Sequence, residues 1–194
     1  MKKMSFQEKW VLLTKYESKP ALTKKNIKSI CVLANDKDAL VRTEAYDSLS
    51  AFPSKHAQKF LKQAIVHEPN ALARSYAILS WADITQALGV HKKQKKFLKQ
   101  LKKLPKIKKS EHCMLSFYYA KYVLWHKKSL KKLLAFLNSS DYQICCCAVN
   151  LLWDIVSPEN RQSIKQALEQ LLQREVCASV SENAAELLQY IKTV

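Results

Sequence analysis

The sequence predicts an all-α fold, and three observations carry that expectation. Glycine occurs once, at Gly89, and proline five times in 194 residues, too few turn formers for a sandwich, a barrel or a glycine-rich phosphate loop. Apolar residues recur at helical spacing: Leu130, Leu133, Leu134 and Leu137 stand at i, i+3, i+4 and i+7. A 14-residue block also recurs along the chain, and internal repeats of 20–50 residues are the signature of stacked helical arrays.

The repeat is clearest in "DKDALVRTEAYDSL" (36–49), which matches "EPNALARSYAILSW" (68–81), "SSDYQICCCAVNLL" (139–152) and "EVCASVSENAAELL" (175–188). Those frames put Val41 in register with Ile144 and Val180, and Ala45 with Ala77, Ala148 and Ala184. A degenerate copy is expected near 103–125. Each block follows an amphipathic helix. Phe97, Leu98, Leu101 and Leu104 form one such stripe, which Pro105 is expected to close. Ser157-Pro158-Glu159 reads as an N-cap and first turn ahead of Ile164, Leu168, Leu171 and Leu172. Asn35-Asp36, Pro69-Asn70 and Ser139-Ser140-Asp141 separate the helices. The expected organisation is a single array: a capping helix within 1–19, then helix pairs over 20–52, 53–89, 90–126, 127–156 and 157–194.

At Asp36, Val41, Arg42, Ala45 and Leu49 these blocks resemble HEAT repeats. The resemblance implies a right-handed α-α superhelix of about five helix pairs, with second helices lining a concave surface. It also implies a structural role for the repeat pairs Asp36 with Arg42 and Glu68 with Arg74. The arginine becomes Cys145 and Ser181 in later copies.

The basic start "MKKMSFQEKWVLL" is interrupted by Glu8 and Lys9 before it reaches signal-peptide length, and no apolar stretch approaches a membrane span. Six cysteines without such a leader suggest reduced thiols and a cytoplasmic setting. The formal charge of +17 is concentrated: residues 91–132 hold 15 Lys/Arg against one acid, Glu111. Residues 133–194 hold four against seven.

The candidate binding patch is Lys92, Lys93, Lys95, Lys96, Lys99, Lys102, Lys103, Lys106, Lys108, Lys109, Lys127, Lys128, Lys131 and Lys132. Such a surface fits an acidic protein or a phosphate backbone. Lysine outnumbers arginine 29 to 4, which points to loose, sequence-independent contact, because bidentate base reading favours arginine. Tyr118, Tyr122, Trp125 and Trp153 are candidate groove aromatics able to stack on bases. The plainer reading gives solvated lysines and aromatics buried between helices. Membrane docking through 91–104 would need an apolar stripe that repeat packing already requires, so no membrane partner is expected.

Weaker likeness extends to HEAT-like alkylpurine DNA glycosylases, whose chemistry places an acid about one helical turn beyond an aromatic. Here the residues four after each tryptophan are Thr14, Thr85, Ser129 and Ser157, and none is acidic. No catalytic residue carries over, and a non-enzymatic binding protein is the expectation. No cofactor is expected, and the histidines show no paired metal-ligand spacing. The run Cys145-Cys146-Cys147 invites a metal reading, but consecutive helical residues diverge by about 100°. Cys145 and Cys147 are expected to fill the core, leaving Cys146 on a stripe with Asn150 and Trp153.

Overall fold

The computed structural model describes residues 4–18, 23–174 and 176–193; Glu175, the first residue of the last frame, lies outside them. All regular structure among these residues is helical. The chain divides at Trp125/His126 into two compact units.

The first unit begins with α1 (Phe6–Glu17), whose N-cap Ser5 and Glu8 form a reciprocal capping box. The pairs follow: α2 (Lys24–Leu33) with α3 (Ala39–Ser50), then α4 (Lys55–His67) with α5 (Ala71–Ala87). Next come α6 (His91–Leu101), the single-turn α7 (Pro105–Lys108) and α8 (Glu111–Leu124). α5 packs between α3 and α8, and α4 covers it. Two expectations are corrected here. Pro105 does not close the preceding helix, which ends at Leu101; it opens α7, where its missing N–H costs nothing. Leu104 is an extended N-cap residue outside the stripe.

α5 ends in a Schellman motif built on the only glycine in the sequence. Gly89, at φ +63°, donates to Gln86 O at 2.9 Å, and Val90 donates to Thr85 O at 3.3 Å. Both bonds satisfy carbonyls that a helix end leaves orphaned.

The second unit contains α9 (Leu130–Leu134), α10 (Tyr142–Trp153), α11 (Arg161–Leu172) and α12 (Ala178–Thr193), with 3₁₀ turns at 127–129 and 135–138 around α9. α12 packs against α10 and α11. The N-cap of α11 is Asn160, three residues beyond the expected Ser157. Asn160 closes the loop, accepting from Ser157 N at 2.8 Å and donating to Ile155 O at 2.7 Å.

The repeat frame falls on the core in every legible copy. Val41, Ala45 and Leu49 are fully buried, as are Ala73, Ala77 and Trp81. Ile144, Ala148 and Leu152 follow, then Val180, Ala184 and Leu188. A small residue at the middle position lets neighbouring helices approach closely. The N-caps align as well: Asp38, Asn70 and Asp141 each accept from the first turn of the second helix. Ser110 does the same for α8, accepting from Cys113 N at 3.2 Å. In the register set by that cap, Cys113 and Phe117 take the first two buried positions, while Lys121, at the third, is only half-buried.

Candidate functional site

α6 has one apolar side, and the fold buries it. Phe97, Leu98 and Leu101 point inward, and Phe97 meets Trp81 of α5 edge-on with centroids 5.0 Å apart. The Lys62 ammonium lies 4.6 Å over the Phe97 ring and donates to Gln94 Oε1 at 3.2 Å. At about 100° per residue, Lys92, Lys95, Lys96 and Lys99 then fall opposite the buried side. All four are exposed, as are Lys93, Lys102, Lys103, Lys108 and Lys109. None of these nine ammonium groups has an ion-pair partner among the described residues. With a Debye length of about 8 Å at physiological salt, neighbouring charges on one short helix act together.

Lys106 separates from this set. Half-buried, it donates through Nζ to Val66 O at the end of α4. Burial, with the neighbouring Arg74 charge, lowers its pKa. In the second unit Lys127, Lys128, Lys131 and Lys132 are exposed on the 3₁₀ turn and α9. Lys131 lines an open cavity of about 350 Å³ with Asn138, Gln166 and Gln170.

The candidate aromatics differ in exposure. Tyr122, Phe117 and Tyr119 are buried, and Tyr119 donates to Asp83 Oδ1 at 3.0 Å. Tyr118 is half-buried and stands edge-on to Phe117 at 5.4 Å. Trp125 is half-buried beyond the end of α8. Only Trp153, in the second unit, is exposed, and it lies against Tyr190 at 5.2 Å.

The repeat arginines are wired differently from the expected Asp36–Arg42 and Glu68–Arg74 pairs. Arg42 engages the Glu68 carboxylate of the next pair, through Nε at 2.8 Å and Nη2 at 2.7 Å, and reaches only the backbone O of Asp36. The Asp36 carboxylate holds Lys9 of α1 at 2.6 Å. Arg74, almost fully buried, satisfies backbone carbonyls of the α4–α5 turn and of α7: it donates to Glu68 O, Pro69 O and Lys106 O. Glu68 also accepts from Tyr46 Oη at 2.9 Å and Asn70 N at 2.9 Å. Sequence spacing links each arginine to its own turn but is blind to the carboxylate 26 residues away. Tyr46 and Lys9 were missed for the same reason. An open cavity of about 380 Å³ lies beside this network, lined by Phe60 and His67 among others.

On α10 the buried arc is Ile144, Cys145, Ala148, Val149 and Leu152, rotated toward Cys145 relative to expectation. Cys147 is therefore only half-buried, like Cys146, whose Sγ accepts from Asn183 Nδ2 at 3.4 Å. Among the described residues no group of three or more His, Cys, Asp or Glu side chains is arranged to hold a metal, and no helix is long and apolar enough to cross a membrane.

No protein-family model matches the chain, and no curated protein or solved structure matches it. Its functional reading therefore rests on its own surfaces.

Proposed function

We propose that the chain is a non-enzymatic binding protein of HEAT-repeat type, an α-solenoid whose basic surface engages an acidic partner. The single observation that carries the binding reading is the α6–α7 face. Nine exposed lysines lie there without a carboxylate partner among the described residues, on a scaffold anchored by buried Phe97, Leu98, Leu101 and Ile107. Leaving so many like charges uncompensated costs stability through self-repulsion, which an anionic partner offsets. The solenoid reading is supported by the recurrent N-caps and by α5 lying between α3 and α8. A cytoplasmic setting belongs to this reading and is supported by the cysteine usage.

The acidic partner is either a protein surface or a phosphate backbone, and titration with both kinds of polyanion tests the proposal. Binding should weaken steeply with salt and be lost when Lys95, Lys99 and Lys102 become glutamate. Failure to bind either a nucleic acid or an acidic polypeptide at low salt would overturn it.

A further inference from the structure

Resting on that reading, we infer that the α6–α7 face binds double-stranded nucleic acid through phosphates alone, without reading sequence. Four features of the face select this partner. First, protein interfaces depend on buried aromatic, arginine or apolar anchors. None of the large exposed hydrophobic side chains lies between residues 91 and 125. Second, insertion into a bilayer requires the apolar side of the helix, and here Phe97, Leu98 and Leu101 are committed to the unit's own core.

Third, single-strand binders gain much of their affinity by stacking bases on exposed aromatics. Of the aromatics nearest in sequence, Phe97, Phe117, Tyr119 and Tyr122 are buried, and Tyr118 and Trp125 are half-buried, so none is fully offered to a base. What remains is charge alone, and a duplex carries one charge per about 1.7 Å against about 3.4 Å for one strand. Fourth, residues 91–109 carry ten lysines and no arginine. An ammonium binds phosphate as a point charge and lacks the planar fork that reads guanine.

The test is fluorescence anisotropy on the full chain with a 20-base-pair duplex, either constituent strand, a duplex of scrambled sequence, and a polyglutamate peptide, between 50 and 200 mM salt. The duplex should bind at least fivefold tighter than the single strand, and equally well when scrambled. If five lysines neutralise phosphates, log K should fall against log salt with a slope of about −4.5. A Lys92→Gln/Lys96→Gln/Lys99→Gln variant, whose circular dichroism and thermal midpoint should be unchanged, should lose at least tenfold in affinity and reduce the slope by about 2.7. Single strand bound as tightly as duplex would overturn the duplex inference and leave the basic-face reading standing. So would capture of polyglutamate but not nucleic acid. No binding to any probe at 50 mM salt, or duplex binding untouched by the triple variant, would overturn both.

Discussion

Arg42 and Glu68 form a bidentate ion pair that joins the second helix of one pair to the turn between α4 and α5. The carboxylate is almost entirely enclosed: its side chain is 2% exposed, against 12% for Arg42. Two guanidinium donors, a tyrosine hydroxyl and a backbone amide converge on its two oxygens. Removing one partner strands the other. Glu68→Ala should destabilise the first unit by about 3 kcal/mol, the lower end for a broken buried pair because Arg42 reaches some solvent. Arg42→Lys should recover only part of the loss suffered by Arg42→Ala, since an ammonium cannot donate along both axes. Urea unfolding of the single and double variants measures the coupling, and additive losses would mean the pair contributes nothing as a pair.

The same cluster sets an acid limit. Burial works against the ionised Glu68 carboxylate, but bonds from Arg42, Asn70 N–H and Tyr46 outweigh it and lower its pKa below the ordinary 4.5. Asp36 behaves alike: burial opposes its charge, and Lys9 and the Asp38 amide more than compensate, below its ordinary 3.8. A carboxylate whose folded pKa is depressed contributes stability that is complete above its unfolded pKa and is lost as pH falls through the folded value. Unfolding free energy should therefore be flat down to about pH 5 and decline below it. In Glu68→Gln that decline should be shallower, with a lower plateau at neutral pH.

What the sequence made legible follows from the range of each interaction. Helix phase is local, so Val41, Ala45 and Leu49 and their counterparts could be placed in the core from spacing alone. Caps that depend on one side chain and its own turn, such as Asn70 and Asp141, were equally visible, whereas α3 is capped by Asp38, two residues beyond the Asn35-Asp36 turn that the spacing marked. The third copy was hidden because Lys108-Lys109 replaces the acidic turn and Phe117 stands where the other copies carry alanine. Arg42 with Glu68, Asp36 with Lys9 and Trp153 with Tyr190 are long-range choices among several equally spaced partners, and only packing decides them. For the candidate site, the lysine stripe was legible as a stripe. That Lys106 leaves it, and that Tyr122 is buried, depends on how α7 and α8 meet the rest of the first unit.

Gly89 offers a clean backbone test. No atom lies within 4 Å of where a Cβ would stand, so substitution there meets no steric neighbour. Its cost is conformational, because φ +63° disfavours an L side chain. Gly89→Ala should lose about 1 kcal/mol, and Gly89→Asn noticeably less, since asparagine tolerates the left-handed region. Equal losses for both, read by thermal unfolding, would show that the terminal turn is rebuilt rather than strained.

Lys106 should behave unlike its neighbours. Its ammonium caps Val66 O at the C-terminal end of α4, where a cation also meets the negative end of the helix dipole. Lys106→Gln should therefore cost about 1 kcal/mol of stability, while Lys108→Gln and Lys109→Gln, both exposed, should leave the unfolding midpoint within experimental error. The opposite ranking is expected for affinity toward a polyanion: the two exposed lysines contribute and Lys106 contributes little.

The six thiols should separate by reactivity. Cys177 is exposed ahead of α12; contacts with the Ser179 hydroxyl and the Val180 amide lower its pKa below the ordinary 9.0. Cys145 is the opposite case: burial raises its pKa, and its thiol donates to Leu137 O at 3.4 Å. Burial also raises Cys147, which nevertheless keeps some surface, and Cys31. Because the thiolate is the attacking species, rate follows both exposure and pKa. With maleimide at pH 7, mass spectrometry should find Cys177 labelled first, Cys146 and Cys147 more slowly, and the buried Cys145 and Cys113 only as fast as the fold opens locally. Adding moderate urea should accelerate the last two and hardly change Cys177. If Cys145 labels as fast as Cys146 without denaturant, the inward face assigned to α10 is wrong, and the three adjacent cysteines are not divided by packing.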